Sequence, residues 1–151
     1  MKEECQFHSK DFEDKLTTTL MRLFRAHFNL TDEHLKREGL YHGQPYIIIS
    51  LYHNDGQSLK ELTACRNVKA STTTTMVSRM EKLGLVKKVA DEKDRRKTRV
   101  YLTDKGREKY KSIINVNNEL DEICFEGFSD EQKLLTKMLL KKIIENINKH
   151  S

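Results

Sequence analysis

Residues 58–84 read SLKELTACRNVKASTTTTMVSRMEKLG, and the reading of this stretch decides the fold. Ser58 and Glu61 stand three residues apart, the spacing of a capping box, and so open a helix at Leu59. Asn67 offers a left-handed cap that closes it early. After a tight turn a second helix is predicted from Ser71 to about Leu83, stopped by Gly84. Short helix, tight turn, second helix is the spacing of a helix-turn-helix. The second helix opens on four consecutive threonines, 72–75. β-Branched side chains lose χ1 freedom against the preceding turn, so helix propensity does not explain them.

Their placement on the helix does. At about 100° per residue, Met76, Met80, Leu83, Thr73 and Val77 form one stripe, the predicted core face. The opposite face carries Ser71, Thr74, Thr75, Ser78 and Lys82, with Thr72 and Arg79 on its flank. Hydroxyls near a helix N-terminus and cations further along suit DNA. Threonine hydroxyls bond phosphates or base edges, threonine methyls pack on thymine methyls, and Arg or Lys contacts phosphate or guanine. The helix dipole also favours a phosphate at the N-terminus.

Beyond Gly84, LVKKVA and TRVYLT read as two short strands around the charged turn DEKDRRK, a hairpin. Its Asp94, Arg95, Arg96 and Lys97 set carboxylate among cations, and a carboxylate can hold a guanidinium extended toward a narrow minor groove. From Lys82 to Lys111 there are twelve Lys/Arg against five Asp/Glu, a local +7 in a chain of formal charge +5. The remainder therefore nets −2. A concentration of positive charge larger than the whole-chain value favours a phosphate-binding surface over a merely solvated face.

The flanking sequence is helical. Phe12, Leu16, Leu20, Leu23, Phe24 and Phe28 keep helical spacing, and Thr31–Asp32 begins either a connection or a further turn. QPYIIISLYH, 44–53, reads as a buried helix with proline at its start, although III is also compatible with a strand. Thr103 caps a long helix that begins DKGREKY, and a second capping box, Ser129 to Gln132, opens the last one. The expected architecture is mainly α with a small β-hairpin wing. A winged helix-turn-helix over 44–103 is flanked by helical regions at 10–43 and 104–151, within one 151-residue chain. The flanking helices are apolar on more sides than an isolated amphipathic helix needs, which points to a dimer interface built from both termini.

Several function classes are excluded or disfavoured. No Gly-rich phosphate loop, GxSxG, HExxH or paired catalytic carboxylate motif occurs, so no enzyme and no cofactor are expected. The histidines form no helical ligand pair beside a carboxylate cluster, and no metal is expected. Cys5, Cys65 and Cys124 are odd in number and widely spaced, as in a reducing compartment. MKEECQFHSK lacks an apolar leader core, and no run approaches a membrane span, so a cytoplasmic protein is expected. Two competing readings are a winged-helix protein-interaction module without specific DNA binding and an RNA binder. The cationic wing speaks against the first, and the lack of an aromatic stacking platform against the second.

Residues 58–110 closely resemble the winged-helix core of the MarR family of bacterial transcriptional regulators. The resemblance rests on Leu62, Val68, Ser71, Thr72, Arg79, Glu81, Gly84, Leu85 and Val86, then Asp91, Asp94, Arg95 and Arg96. Leu102, Thr103, Lys105, Gly106 and Arg107 complete it as L-T-x-K-G-R. It implies a homodimer on a roughly palindromic operator in double-stranded DNA, with one recognition helix per half-site and the wings in flanking minor grooves. Ser71, Thr72, Thr74, Thr75 and Arg79 are then the recognition contacts, and Arg96 the minor-groove arginine oriented by Asp94. Thr75 replaces an arginine of many relatives, Thr73 a larger apolar residue, Lys93 an arginine and Arg66 a leucine. The resemblance also implies a ligand-responsive repressor, released by a small aromatic or anionic effector. Tyr41, His42, Tyr46 and Tyr52 are the candidates to line its pocket, with ordinary packing as the alternative for them.

Overall fold

The computed structural model describes residues 15–64, 69–91, 94 and 97–150. The elements run α1 (Leu16–Arg37), α2 (Gln44–His53), β1 (Gln57–Ser58), α3 (Leu59–Ala64), α4 (Ala70–Lys82), β2 (Val86–Ala90), β3 (Thr98–Leu102), α5 (Asp104–Cys124) and α6 (Asp130–Asn148). The chain divides into two compact units, 1–116 and 117–151. The Asn67 cap, Cys5, Cys65 and Arg66 of the sequence reading lie outside the described residues.

The first helix does not end at Thr31–Asp32. The Thr31 hydroxyl donates to the His27 carbonyl at 2.7 Å, and Asp32–Lys36 and Glu33–Arg37 pair at 2.6 Å one turn on. These i, i+4 bonds carry the helix through the polar stretch. It stops at Gly39, where Leu40 N–H donates to Leu35 O and Gly39 N–H to Lys36 O, both at 2.9 Å, a Schellman closure.

The ambiguous III lies in a helix, α2, with Pro45 in its first turn. Ile47, Ile48 and Leu51 are buried while Tyr46 and Tyr52 stay exposed, a helical and not an alternating pattern. These residues join Leu40, Leu62, Val77, Met80, Val86 and Val100 among the fully buried apolar side chains of the first unit. Burying each stabilises the fold by about 1.5–3 kcal/mol before chain entropy is charged against it.

The two-strand wing is in fact a three-stranded antiparallel sheet in the order β1-β3-β2. β2 pairs with β3 from Val86↔Leu102 to Ala90↔Thr98, as the alternating pattern predicts. β1 is new: Gln57 pairs with Val100 and Ser58 with Arg99. Two residues carry no periodicity, so nothing in the sequence marks them as a strand. Ser58 then starts α3 through its capping box, with Glu61 accepting from Ser58 N–H at 2.7 Å and Glu61 N–H donating to Ser58 Oγ at 3.3 Å.

The junction of α4, β2, β3 and α5 holds this unit together. α4 ends in a second Schellman closure, Leu85 N–H to Met80 O and Gly84 N–H to Glu81 O, with Gly84 at φ +69°. Three successive carbonyls then receive donors from the L-T-x-K-G segment. Lys105 Nζ bonds Leu83 O at 2.9 Å, Thr103 Oγ1 bonds Gly84 O at 2.6 Å, and Thr103 N–H bonds Leu85 O at 3.1 Å. Thr103 Oγ1 also accepts from Gly106 N–H at 3.1 Å, capping α5 as expected. Helix and backbone approach so closely here that a Cβ on Gly106 would lie 2.1 Å from Leu85 O.

In the second unit, Phe125 and Phe128 meet edge to face at 5.6 Å around the turn before α6. Both halves of the Ser129–Gln132 capping box form. Among the described residues of α6 none is buried.

Thr73 has a completely buried side chain, and its hydroxyl finds no partner among the described residues. Thr73→Val is expected to stabilise the protein by about 1 kcal/mol, seen as a higher midpoint in thermal unfolding. Gly106→Ala is expected to cost about 2–3 kcal/mol, because the obstacle is backbone; an unchanged midpoint would contradict the close contact.

Candidate nucleic-acid interface

α4 presents the face predicted for it. Thr73, Val77 and Met80 are buried. Ser71, Thr72, Thr74, Thr75, Arg79 and Lys82 are exposed, and Ser78 is half-buried. The predicted core stripe is too wide by one edge. Met76 is only half-buried and Leu83 is 43 % exposed. Both lie on the side of the stripe next to Thr72 and Arg79, where core packing has given way to an open groove.

The hydroxyls are not equivalent. Thr74 Oγ1 donates to Ala70 O at 3.0 Å, so its proton is committed to the helix. It offers a lone pair and a methyl outward, suited to an amino group of adenine or cytosine or to the thymine methyl, and not to a phosphate oxygen. Lys69, which precedes α4, supplies no side-chain cap, and its carbonyl takes Thr72 N–H at 3.0 Å; the dipole at this N-terminus favours a phosphate.

The groove beside α4 has a volume of about 740 Å³. One wall is helical spacing along α4: Ser71, Thr72, Thr75, Met76, Arg79, Lys82 and Leu83. The other is Tyr41, His42 and Gln44 from the α1–α2 connection. Gln44 Oε1 accepts from Tyr41 N–H at 3.0 Å, and the His42 ring meets Phe28 edge-on at 4.9 Å, so this wall is braced. Among the described residues that line the groove there are cations and no carboxylate. Of the four expected effector residues the structure therefore brings together Tyr41 and His42. Tyr52 instead stacks face to face on Tyr110 at 3.6 Å, and Tyr46 lines no part of the groove.

At the wing, Lys97 Nζ lies 3.4 Å from Asp94, and Lys97 N–H donates to Asp94 O at 2.8 Å. Arg95 and Arg96 lie outside the described residues, and with them the expected Asp94–Arg96 partnership. Sequence reasoning missed the groups that brace this region. Asp55 accepts from Leu102 N–H at 3.0 Å and pairs with Arg107, and Lys88 pairs with Glu81 at 2.7 Å between β2 and α4. Arg99 bonds both Asp91 and Glu61. Asp91 raises the Arg99 pKa further, and the Ser58 hydroxyl and N–H, with Arg99 beyond them, hold Glu61 below the usual carboxylate range. Glu61 thus stays ionised at neutral pH, and its capping bond is lost only in acid, as pH falls through that lowered value. Lys105, Arg107 and Asp91 stand in the quoted motifs, but nothing in the motifs told which atoms they hold.

Among the described residues no group of His, Cys, Asp or Glu is arranged to hold a metal ion, and no helix is long and apolar enough to cross a membrane.

A helix-turn-helix whose second helix offers hydroxyls and cations, followed by a charged hairpin, defines a winged-helix DNA-binding protein. The MarR family model matches residues 40–98. A solved MarR protein from Peptoclostridium difficile superposes with a TM-score of 0.77 at 30% identity, covering 98% of this chain and 97% of that one. The HTH-type transcriptional regulator BilQ of Clostridioides difficile is 32% identical over 106 residues, 70% of this chain and 72% of BilQ. A MarR-family protein from Listeria monocytogenes, solved with a 26mer DNA, shares the fold with a TM-score of 0.70 at 22% identity, over 88% of this chain and 89% of that one. The chain belongs to the MarR family. It is a DNA-binding transcriptional regulator, and the family is not one of enzymes.

Arg79 is exposed on the outward edge of α4. Arg79→Ala is expected to lower DNA affinity and to reduce the slope of log K against log salt by about one. Anisotropy titrations of labelled duplex at several salt concentrations read both.

Proposed function

We propose that the chain is a cytoplasmic, ligand-responsive repressor that binds a roughly palindromic operator as a homodimer. α4 enters the major groove of each half-site, and the wing, with Arg96 at the minor groove, contacts the flank. The outward face of α4 carries this assignment: six exposed hydroxyl and cationic side chains on one side of a helix whose other side is locked into the core. The 26mer DNA bound by the Listeria monocytogenes protein supports it for the shared fold.

Dimerisation is supported by apolar surface that one chain leaves in water. Leu16 is 87 % exposed and Phe24 61 % on α1, and Leu134, Met138 and Ile144 are each more than half exposed on α6. Apolar surface of that extent on helices at both ends of the chain needs a cover, and a second copy supplies an identical one. The regions 10–43 and 104–151 would then dimerise, while 44–103 binds DNA.

The groove supports the ligand response. Tyr41, Met76 and Leu83 offer apolar area, while Arg79 and Lys82 offer charge for an anion. A small aromatic anion lodged there covers Ser71, Thr72, Thr75 and Arg79, so ligand and DNA compete for the same side chains. Sodium benzoate serves as a first probe of that chemistry.

Footprinting on a duplex that the chain itself selects from a randomised pool is expected to show two protected half-sites about one helical turn apart. Sedimentation at the same concentrations is expected to show a dimer. A single asymmetric footprint from a monomer would overturn the assignment.

A further inference from the structure

Arg99 is counted in the positive stretch that marks this protein as a DNA binder, yet its guanidinium is bonded to acceptors of the chain itself. It lies on β3, the central strand of the sheet, opposite Ser58 on one side and Val89 on the other. From there it reaches past both edges. Nε donates to Asp91 Oδ2 at 2.6 Å, and Nη1 donates to Glu61 Oε2 and to Gly56 O, each at 3.2 Å. Two carboxylates and a carbonyl thus face one guanidinium. Asp91, whose side chain is only 11 % exposed, spends its other oxygen on the wing turn, where Oδ1 accepts from Asp94 N–H at 3.0 Å. Asp91 N–H in turn bonds Lys97 O at 2.9 Å. Glu61 is the capping residue of α3. A planar, forked donor is the side chain suited to hold two carboxylates at once in fixed directions, and a lysine ammonium is not.

We infer that Arg99, acting through Asp91, is a positioning residue that fixes the root of the wing to the start of the helix-turn-helix, and that it is not itself a phosphate contact. The chain of bonds runs Asp94 to Asp91 to Arg99 to Glu61 to Ser58, from the wing turn to the N-terminus of α3. DNA binding by a winged helix needs the wing and the recognition helix to meet two grooves at once, so an error in the angle between them is an error in register. The inference rests on the proposal that the wing reaches the flanking minor groove.

A double-mutant cycle between Arg99 and Arg96 tests it, on the full-length chain and a duplex selected by the wild-type chain from a randomised pool. Arg99→Met is expected to weaken binding about tenfold at fixed salt, with hydroxyl-radical protection lost at the flanking minor groove and kept at the central major grooves. In an Arg96→Ala background the same change is expected to have little further effect, because the contact it positions is already gone. Asp91→Asn is expected to repeat this pattern with less disturbance to the fold, and Arg99→Lys to restore little. Losses that add fully in the double variant overturn the inference, as does a salt slope that falls by about one for Arg99→Met even without Arg96, the mark of a direct phosphate contact. Loss of helical circular dichroism in both Arg99→Met and Asp91→Asn overturns it too, by making the pair a requirement for folding. A wild-type footprint without any minor-groove flank sinks the wing proposal along with this inference, whereas additive losses beneath an intact flank sink the inference alone.

Discussion

Three successive carbonyls in the turn that follows α4 are bonded by one distant segment, and those bonds organise the whole DNA-binding unit. Leu83, Gly84 and Leu85 each receive a donor from residues 103–105, a strand end and helix start that follow about twenty positions later in the chain. The last carbonyls of α4 itself are met by its Schellman closure, so these bonds fasten the turn that joins it to β2. Forming them from Thr103 and Lys105 brings β3 alongside β2 and sets α5 against the recognition helix. The contact tolerates no side chain at Gly106. The L-T-x-K-G-R motif thus has a mechanical content: it clasps the turn after a helix distant in sequence, and Arg107 extends it to Asp55 before β1.

With its end fixed in this way, α4 can afford a weak beginning. Four threonines, one of them with a buried hydroxyl that has no partner among the described residues, are poor material for a helix start. The stretch persists because Val77 and Met80 are wholly buried, its far end is closed by a Schellman motif and the turn beyond is held from 103–105. What the weak start offers is chemistry. Thr72 and Thr75 line the groove with Ser71, and Thr74 turns its methyl and a lone pair outward. The groove itself exists because the core stripe is narrower than helical spacing suggests, leaving Met76 and Leu83 in its wall.

Charge is used in two ways in the same short region. Arg79 and Lys82 lie open on the helix edge. Arg99, Lys105 and Arg107, equal to them in any count of net charge, are spent on internal acceptors. The positive stretch therefore overstates the number of cations free for phosphate, and the difference lies in which carboxylate or carbonyl each side chain finds when the sheet closes.

The sequence by itself determined the helices, the hairpin, their order and the family, because these depend on local signals: capping boxes at Ser58 and Ser129, Gly84 after an amphipathic run, and alternation over 98–103. It also determined which face of α4 points outward, since helical geometry leaves little freedom once Val77 and Met80 are placed. Only the tertiary structure decided what depends on separated segments. β1 exists because Gln57 and Ser58 fall beside Val100 and Arg99, and two residues have no pattern of their own. Tyr41 and His42 reach the groove while Tyr52 stacks on Tyr110, a division set by how α2 packs. Arg99 joins Asp91 to Glu61 because these two carboxylates, eight and 38 residues behind it, converge on one guanidinium. Pairings of that kind are made by chain closure, and no spacing along the sequence encodes them.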